Sequence, residues 1–273
     1  MSESTPIPQA DEPGVVLTRD GGVATVTLNR PRQMNSLDVA TKVALREAVH
    51  EVAEDPDVRC VVLTGTGRAF CVGQDLKEHV GLLERGGSAA LFATVPEHYN
   101  PIVTALATMP KPVVAAVNGV AAGAGASLAF ACDVRLLADT AGYNLAFTGI
   151  ALSCDTGSSW TLPRLVGRAK ALELLYEPRT LDAEESLRLG LATRVLPSDD
   201  LATEAATVAA RLAAGPTLAY GAIRRSVGFA ASHGLEESLA YEAEMMALTG
   251  ATEDHRNAVA SFVAKERPTF HGR

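Results

Sequence analysis

The sequence has few cysteines and histidines, and none of them forms a recognisable ligand pattern. Its four cysteines are widely spaced and form no CxxC pair, which is typical of reduced thiols and not of a disulfide framework. The six histidines include no HExxH motif and no pair on one helix face, so we predict no metal site. No apolar run is long enough to cross a bilayer, and we expect no membrane partner.

Basic residues are also scarce. The chain has 24 Lys and Arg against 32 Asp and Glu, a formal net charge of -8. Affinity for nucleic acid depends on neutralising phosphates, so we expect no nucleic-acid partner, although a small anionic ligand fits if a few cations gather locally. Residues 1–13 contain prolines and acids but no basic segment followed by an apolar one. This composition predicts a disordered tail and not a secretion signal, and hence a cytoplasmic protein.

Strand and helix patterns alternate after this tail. Asp20-Gly21-Gly22 separates two short apolar runs and predicts a β-hairpin. Asp38 precedes an apolar pattern at helical spacing and is the predicted N-cap of the first long helix. Further apolar runs predict buried strands at 58–63, 113–117 and 134–138. We therefore predict a layered α/β core over 14–198, followed by a helical region over 199–273.

The most unusual segment is Asn118-Gly-Val-Ala-Ala-Gly-Ala-Gly-Ala-Ser127, which follows a predicted strand. It has no Gly-Lys-Ser/Thr of a P-loop, and Leu128 stands where a dinucleotide fingerprint needs glycine or alanine. Two interpretations stay open at this point. The small residues allow close helix packing, or they leave a helix N-terminus bare so that a ligand oxygen can reach a free amide.

A second turn of this kind is Arg68-Ala-Phe-Cys-Val-Gly-Gln-Asp-Leu76, again directly after a buried strand. Two strand ends that each offer a glycine-flanked amide can converge on one oxygen. Both segments resemble the two oxyanion-hole motifs of the enoyl-CoA hydratase/isomerase (crotonase) family. The resemblance extends from Leu28-Asn-Arg-Pro31 to Phe262-Val-Ala-Lys265, nearly the whole chain.

The resemblance implies a fold and a set of site residues. The fold is the α/β crotonase-type spiral of repeated ββα units, with a helical C-terminal region that assembles homotrimers or dimers of trimers. The oxyanion donors are the backbone N–H groups of Gln74 and Ala124. The same resemblance assigns the turn glycines Gly73, Gly123 and Gly125, and the CoA-binding residues Asp75, Leu76, Phe262 and Lys265. The last two would approach the CoA of a neighbouring subunit, although they also fit an ordinary amphipathic helix.

The implied substrate is an acyl-CoA thioester, so that no cofactor is needed beyond the CoA of the substrate itself. Typical hydratases of the family use two glutamates, and this sequence has Ser127 and Phe147 at the corresponding positions. Asp155 stands where isomerase-like members carry an acid/base group. The resemblance therefore favours double-bond isomerisation of an enoyl-CoA, with Asp155 moving a proton between two carbons. The alternative for Asp155 is the N-cap of the following helix.

Three other functions stay open at the level of the sequence. One is an enoyl-CoA hydratase of fatty-acid oxidation, if the two glutamate positions lie elsewhere. Another is a CoA-thioester binder without turnover, because the two amides do not depend on the replaced glutamates. The third is a serine hydrolase that uses Ser127 as its nucleophile, although no motif supplies the histidine it needs.

Overall fold

The structure is a computed structural model that describes residues 13–84 and 92–273. Its strands are β1 (Val15–Asp20), β2 (Val23–Leu28), β3 (Cys60–Gly65), β4 (Ala69–Cys71), β5 (Val113–Val117), β6 (Val120–Ala122), β7 (Val134–Ala138), β8 (Tyr143–Asn144), β9 (Thr180–Leu181) and β10 (Arg194–Leu196). Its main helices are α1 (Val39–Glu54), α2 (Leu76–Glu84), α3 (Asn100–Thr108), α4 (Ala124–Phe130), α5 (Ser158–Val166), α6 (Arg168–Tyr176), α7 (Ala183–Arg188), α8 (Leu201–Ala213), α9 (Thr217–Ala230), α10 (Leu235–Gly250) and α11 (Glu253–Ala264). The predicted tail lies almost wholly outside the described residues.

The larger sheet has six strands in the order β1-β2-β3-β5-β7-β10. The first two form the predicted antiparallel hairpin, with Val23 paired to Asp20 across the Gly21-Gly22 loop. The other neighbouring strands run parallel to one another. Strand β5 is buried at every residue, because helices cover the sheet. The strands predicted from apolar runs are thus present, although β3 begins two residues later than its run.

A second sheet of four short strands, in the order β4-β6-β8-β9, lies beside the first. Each of its strands has only two or three residues. Strands β4 and β6 directly follow β3 and β5 of the larger sheet, so the chain steps from one sheet to the other twice. Both glycine-containing turns come immediately after these steps, which brings them to the same side of the molecule.

The first long helix begins at the predicted capping residue. Asp38 accepts a hydrogen bond of 2.8 Å from the Thr41 N–H and is the N-cap of α1, as predicted. After Leu196 the described chain contains helices and no further strand. The first of these helices, α8, buries Leu201, Ala205 and Val208 against the six-stranded sheet. Among the described residues, no helix is both long and apolar enough to cross a membrane.

One arginine ties distant parts of the chain together. Arg59 lies just before β3 and donates to the Gly215 carbonyl oxygen at 2.6 Å and to Thr217 Oγ1 at 2.8 Å. It also donates to the Phe270 carbonyl oxygen at 2.9 Å, across 211 positions of sequence. Asp254 of α11 accepts hydrogen bonds from the backbone beside Phe270. The segment after α11 is therefore fixed to the edge of the core.

Candidate functional site

The first candidate turn lies between β4 and α2. Gly73 has φ +83°, a conformation that glycine adopts without steric cost. Leu37 bonds to both neighbours of Gln74: its N–H donates to the Gly73 carbonyl at 2.8 Å, and its carbonyl accepts from the Asp75 N–H at 3.1 Å. Among the backbone hydrogen bonds of the described residues, none comes from the Gln74 N–H itself. This N–H is thus free for a ligand oxygen.

The Asp75 carboxylate holds the turn to the rest of the fold. It accepts from Ser36 Oγ at 2.9 Å and from Arg30 Nη1 at 3.1 Å, and its other oxygen accepts from the Lys77 N–H at 3.1 Å. Burial alone raises the pKa of Asp75, but hydrogen bonds from Ser36, the backbone of α2 and Arg30 together lower it below its usual value. Asp75 therefore fixes the turn as an ionised group.

The second turn lies between β6 and α4. Gly123 has φ +51° and precedes α4, so Ala124 is the first residue of the helix and has no intrahelical acceptor for its N–H. A Cβ placed on Gly125 would lie 2.0 Å from the Cys71 carbonyl oxygen. Gly125 is therefore required for close packing of α4 on β4. Close packing and a free amide, which the sequence left as alternatives, occur together in this segment.

The two turns are direct neighbours. A Cβ placed on Gly73 would lie 2.9 Å from the Ala122 carbonyl oxygen and 3.3 Å from the Ala124 nitrogen. Gly73, Gln74, Gly123 and Ala124 all line one cavity of about 620 Å³. This volume lies within the range of small-molecule and cofactor sites. Two free backbone N–H groups in one wall can bind a single developing oxyanion.

Asp155 lines the same cavity. Asp155 comes just before α5, but the N-cap of that helix is Gly157. Among the described residues, no side chain caps α5 with a hydrogen bond. The N-cap alternative for Asp155 is therefore wrong. Its carboxylate accepts from Thr156 Oγ1 at 2.8 Å. Burial raises the pKa of Asp155, while the Thr156 hydroxyl and the charge of Lys42 oppose the change. A half-buried carboxyl with a raised pKa is suited to accept and return a proton.

A buried polar cluster, which sequence reasoning missed, lies behind the first turn. Tyr99 donates its hydroxyl to Gln74 Oε1 at 2.6 Å, and Lys42 Nζ donates to the same oxygen at 3.1 Å. Lys42 also donates to Thr94 Oγ1 at 2.7 Å and lies 3.8 Å from a Glu78 carboxylate oxygen. Both Lys42 and Tyr99 are 1% exposed. The Gln74 side chain is therefore bound from two sides.

Cationic side chains also belong to this cavity. Arg32, Arg68 and Lys77 line it and are exposed. Leu76, which the resemblance assigns to CoA binding together with Asp75, lines it and is half exposed. Such a wall can bind the phosphates of an anionic ligand near the surface while its acyl end lies deeper.

Three residues named from the sequence lie elsewhere. Phe262 lies on α11 and is 83% exposed, and Lys265 directly follows that helix. Neither residue is among the described residues that line the cavity of this chain. Ser127 is fully buried, and its hydroxyl bonds to the Gly123 carbonyl and to Ser158 Oγ. A fully buried hydroxyl that helps to hold the second turn gives no support to the serine hydrolase alternative. Phe147, which the sequence resemblance places at the other glutamate position, lines the cavity.

Comparisons with known proteins identify the family of the whole chain. The family model for enoyl-CoA hydratase/isomerase matches residues 18–273. The 1,2-epoxyphenylacetyl-CoA isomerase of Escherichia coli K12 is 40% identical over 252 residues, which cover 92% of this chain and 96% of that protein. The crystal structure of an enoyl-CoA hydratase from Bacillus anthracis superposes with a TM-score of 0.90 at 30% identity, covering 95% of this chain and 100% of that one.

A second crystal structure, of an enoyl-CoA hydratase from Mycobacterium smegmatis, is 33% identical with a TM-score of 0.87 and covers 95% of this chain and 100% of its own. These likenesses confirm the predicted crotonase fold, a mixed α/β core with a helical C-terminal region. The family acts on acyl-CoA thioesters. The chain, with its matched family model and its relatives of similar length, belongs to the enoyl-CoA hydratase/isomerase family.

Proposed function

We propose that this enzyme isomerises an enoyl-CoA by moving its double bond between C3 and C2. Asp155 removes a proton from C2, which is acidic because it lies next to the thioester. The N–H groups of Gln74 and Ala124 stabilise the dienolate oxygen, and Asp155 returns the proton at C4. The reaction needs no cofactor, since the substrate brings its own CoA. One carboxylate within reach of both carbons is sufficient for this chemistry.

The observation that carries the proposal is the position of Asp155 in the same cavity as the two free N–H groups. Among the described residues, two carboxylates line this cavity, and the other one, Asp75, is held by Arg30 and Ser36. A general base contributes about 10²- to 10⁴-fold to a rate and one oxyanion donor about 10²- to 10³-fold. Asp155 and the two amides are together adequate for substantial catalysis.

The test is Asp155→Asn, which keeps the size of the side chain and removes the base. We expect the variant to bind acyl-CoA normally and to convert a 3-enoyl-CoA to its 2-enoyl isomer at least about a hundredfold more slowly. The matched control is Asp182→Asn, because Asp182 caps α7 and lies outside the cavity. Full isomerase activity in Asp155→Asn would exclude this mechanism.

The pH dependence gives a second reading of the same variant. Asp155 must be ionised to accept the proton, and burial raises its pKa. The kcat/KM of the wild type should therefore rise with pH through a value above the ordinary range for an Asp carboxyl, and this limb should vanish in Asp155→Asn. A wild-type profile that is flat above pH 4 would contradict the assignment.

A panel of substrates separates the rival functions. Hydration of a 2-enoyl-CoA at a rate equal to or above isomerisation would favour the hydratase. Binding of every acyl-CoA without turnover would favour a non-catalytic binder. The panel should include 1,2-epoxyphenylacetyl-CoA, the substrate in the name of the Escherichia coli relative. A half-buried base beside an oxyanion site suits any of these thioesters. The measured rates of turnover therefore decide which acyl group the substrate carries.

We also propose that three copies of the chain, or two such trimers, form the working enzyme. The support is that Phe262 and Val263 are 83% and 77% exposed on a helix remote from the cavity of their own chain. In a trimer, Phe262 and Lys265 would cover the CoA bound by a neighbouring copy. The molar mass in solution tests this proposal, and a monomer at micromolar concentration would contradict it.

A further inference from the structure

We propose that Lys42 and Tyr99 are positioning residues for the first oxyanion turn, because they hold the Gln74 side chain and thereby fix the direction of the Gln74 N–H. The inference rests on the proposed function, in which that N–H binds the thioester oxygen. It adds the residues that set the geometry of the turn, neither of which belongs to either glycine-containing segment.

The direction of the Gln74 N–H depends on how the first turn is held. Leu37 holds the Gly73 carbonyl on one side and the Asp75 N–H on the other. The Gln74 N–H lies between these bonds without a backbone acceptor in the described chain. That N–H and the Gly73 carbonyl belong to one planar peptide group, so the Leu37 bond fixes the oxygen end of this group. Its nitrogen end is joined to Gln74 Cα, and an anchor on the Gln74 side chain restricts that end as well.

The Gln74 side chain supplies this anchor. Its Oε1 accepts from Tyr99 at 2.6 Å and from Lys42 at 3.1 Å, which uses both lone pairs of the amide oxygen. Its Nε2 lies 3.5 Å from Glu78 Oε2. Three groups from α1, α2 and the segment before α3 therefore surround one side chain.

Burial of the Lys42 ammonium group costs free energy. Lys42 is 1% exposed although it is cationic, and burial lowers the pKa of its ammonium group. Burying an ammonium group is strongly unfavourable unless hydrogen bonds and a counter-charge compensate. Its partners are Gln74, Thr94 and Glu78. The fold thus places a buried charge where two of its partners, Gln74 and Thr94, line the cavity.

The second turn provides an internal comparison. Ala124 begins α4, and the Gly123 carbonyl of the same peptide group accepts hydrogen bonds from the Ser127 N–H and the Ser127 hydroxyl of that helix. An equivalent helix is missing at Gln74, because α2 begins two residues later at Leu76. At the first turn, the two Leu37 backbone bonds and the side-chain anchor on Gln74 together take the place of the helix.

The experiment uses 4-(dimethylamino)cinnamoyl-CoA, a conjugated thioester whose absorption band moves to longer wavelength when its carbonyl is polarised. We expect the full-length wild type to shift this band, and Tyr99→Phe and Lys42→Met to shift it less. In both variants kcat for isomerisation should fall about tenfold or more while KM stays within about twofold, because misplacement of a donor weakens transition-state binding.

Two buried residues outside the cavity serve as matched controls. Tyr143→Phe removes a buried hydroxyl that has no hydrogen-bond partner among the described residues. Lys111→Met removes another buried ammonium group, which donates to the Val52 and Asp55 carbonyls. Neither control should change the band shift, whatever it does to the unfolding temperature. If Lys42→Met does not fold, Tyr99→Phe alone carries the test.

The possible failures are distinguishable. Folded Tyr99→Phe and Lys42→Met proteins with the full band shift would overturn the positioning role. This holds even if Lys42→Met loses activity because it removes a positive charge near Asp155. A wild type that binds the probe without any shift would overturn the oxyanion site itself, and the positioning role with it. A normal shift with no isomerase activity would contradict only the proposed reaction.

Discussion

The two turns that hold the oxyanion in the proposed function are built in different ways. The second is built from backbone: a helix begins at Ala124, and Gly125 lets it pack directly on the Cys71 carbonyl. The first is held by side chains, with Asp75 bound to Arg30 and Gln74 bound to Tyr99. The difference teaches that a close backbone contact and a polar network are two ways to hold a turn, and that they fail under different changes.

The largest effect is expected from Gly125→Ala, which disrupts the second turn and changes no residue of the first. The new Cβ would lie 2.0 Å from a backbone oxygen, so α4 and β4 would have to separate. We expect a loss of more than about 3 kcal/mol in the free energy of unfolding, at the upper end of overpacking effects. Chemical denaturation measures it. Gly228→Ala is the control, because a Cβ added at Gly228, inside α9, would meet no described atom within 4 Å beyond its neighbours in the helix. This variant should be slightly more stable than the wild type.

A smaller effect is expected at the first turn from Asp75→Asn. This change removes the charge that binds Arg30, and we expect a loss of about 1 to 2 kcal/mol at neutral pH. The pKa of Asp75 is lowered in the folded state, so its contribution is present above the pKa of the unfolded chain and disappears as pH falls through the folded value. The difference in unfolding free energy between wild type and variant should therefore shrink in acid.

Measurements of both proteins between pH 3 and pH 7 check this sign. A difference that grows as pH falls would mean that Asp75 does not stabilise the turn as an ionised group. The second turn has no titratable side chain, so Gly125→Ala should show no such pH dependence. The pair of variants thus separates a steric contact from a charged one.

Much of this architecture could be predicted from the sequence. The glycine loop before Val23 and the cap at Asp38 are local signals, and the long apolar runs predict buried strands without knowledge of their partners. The two turns were found because each follows such a run. The four-stranded sheet was not predicted, since strands of two or three residues are too short for any periodic pattern.

The polar cluster was missed for a related reason. Lys42 lies three, seven and ten positions before Leu45, Val49 and Val52, so helical periodicity places it on the buried face of α1, while Val39 is 40% exposed. A lysine in a helix is usually solvated, and only its partners Gln74, Thr94 and Glu78, which are 32 or more positions away, explain its burial. Long-range polar pairing of this kind leaves no local signal in a sequence.

The hydrogen bond from Arg59 to Phe270 has a consequence for how the chain is made. At about 5 to 20 residues per second, a ribosome needs about 10 to 40 s to add the 211 residues between donor and acceptor. During that interval the guanidinium group at the start of β3 lacks one of its partners. The bond that fixes the segment after α11 to the core can therefore form only once Phe270 has been made.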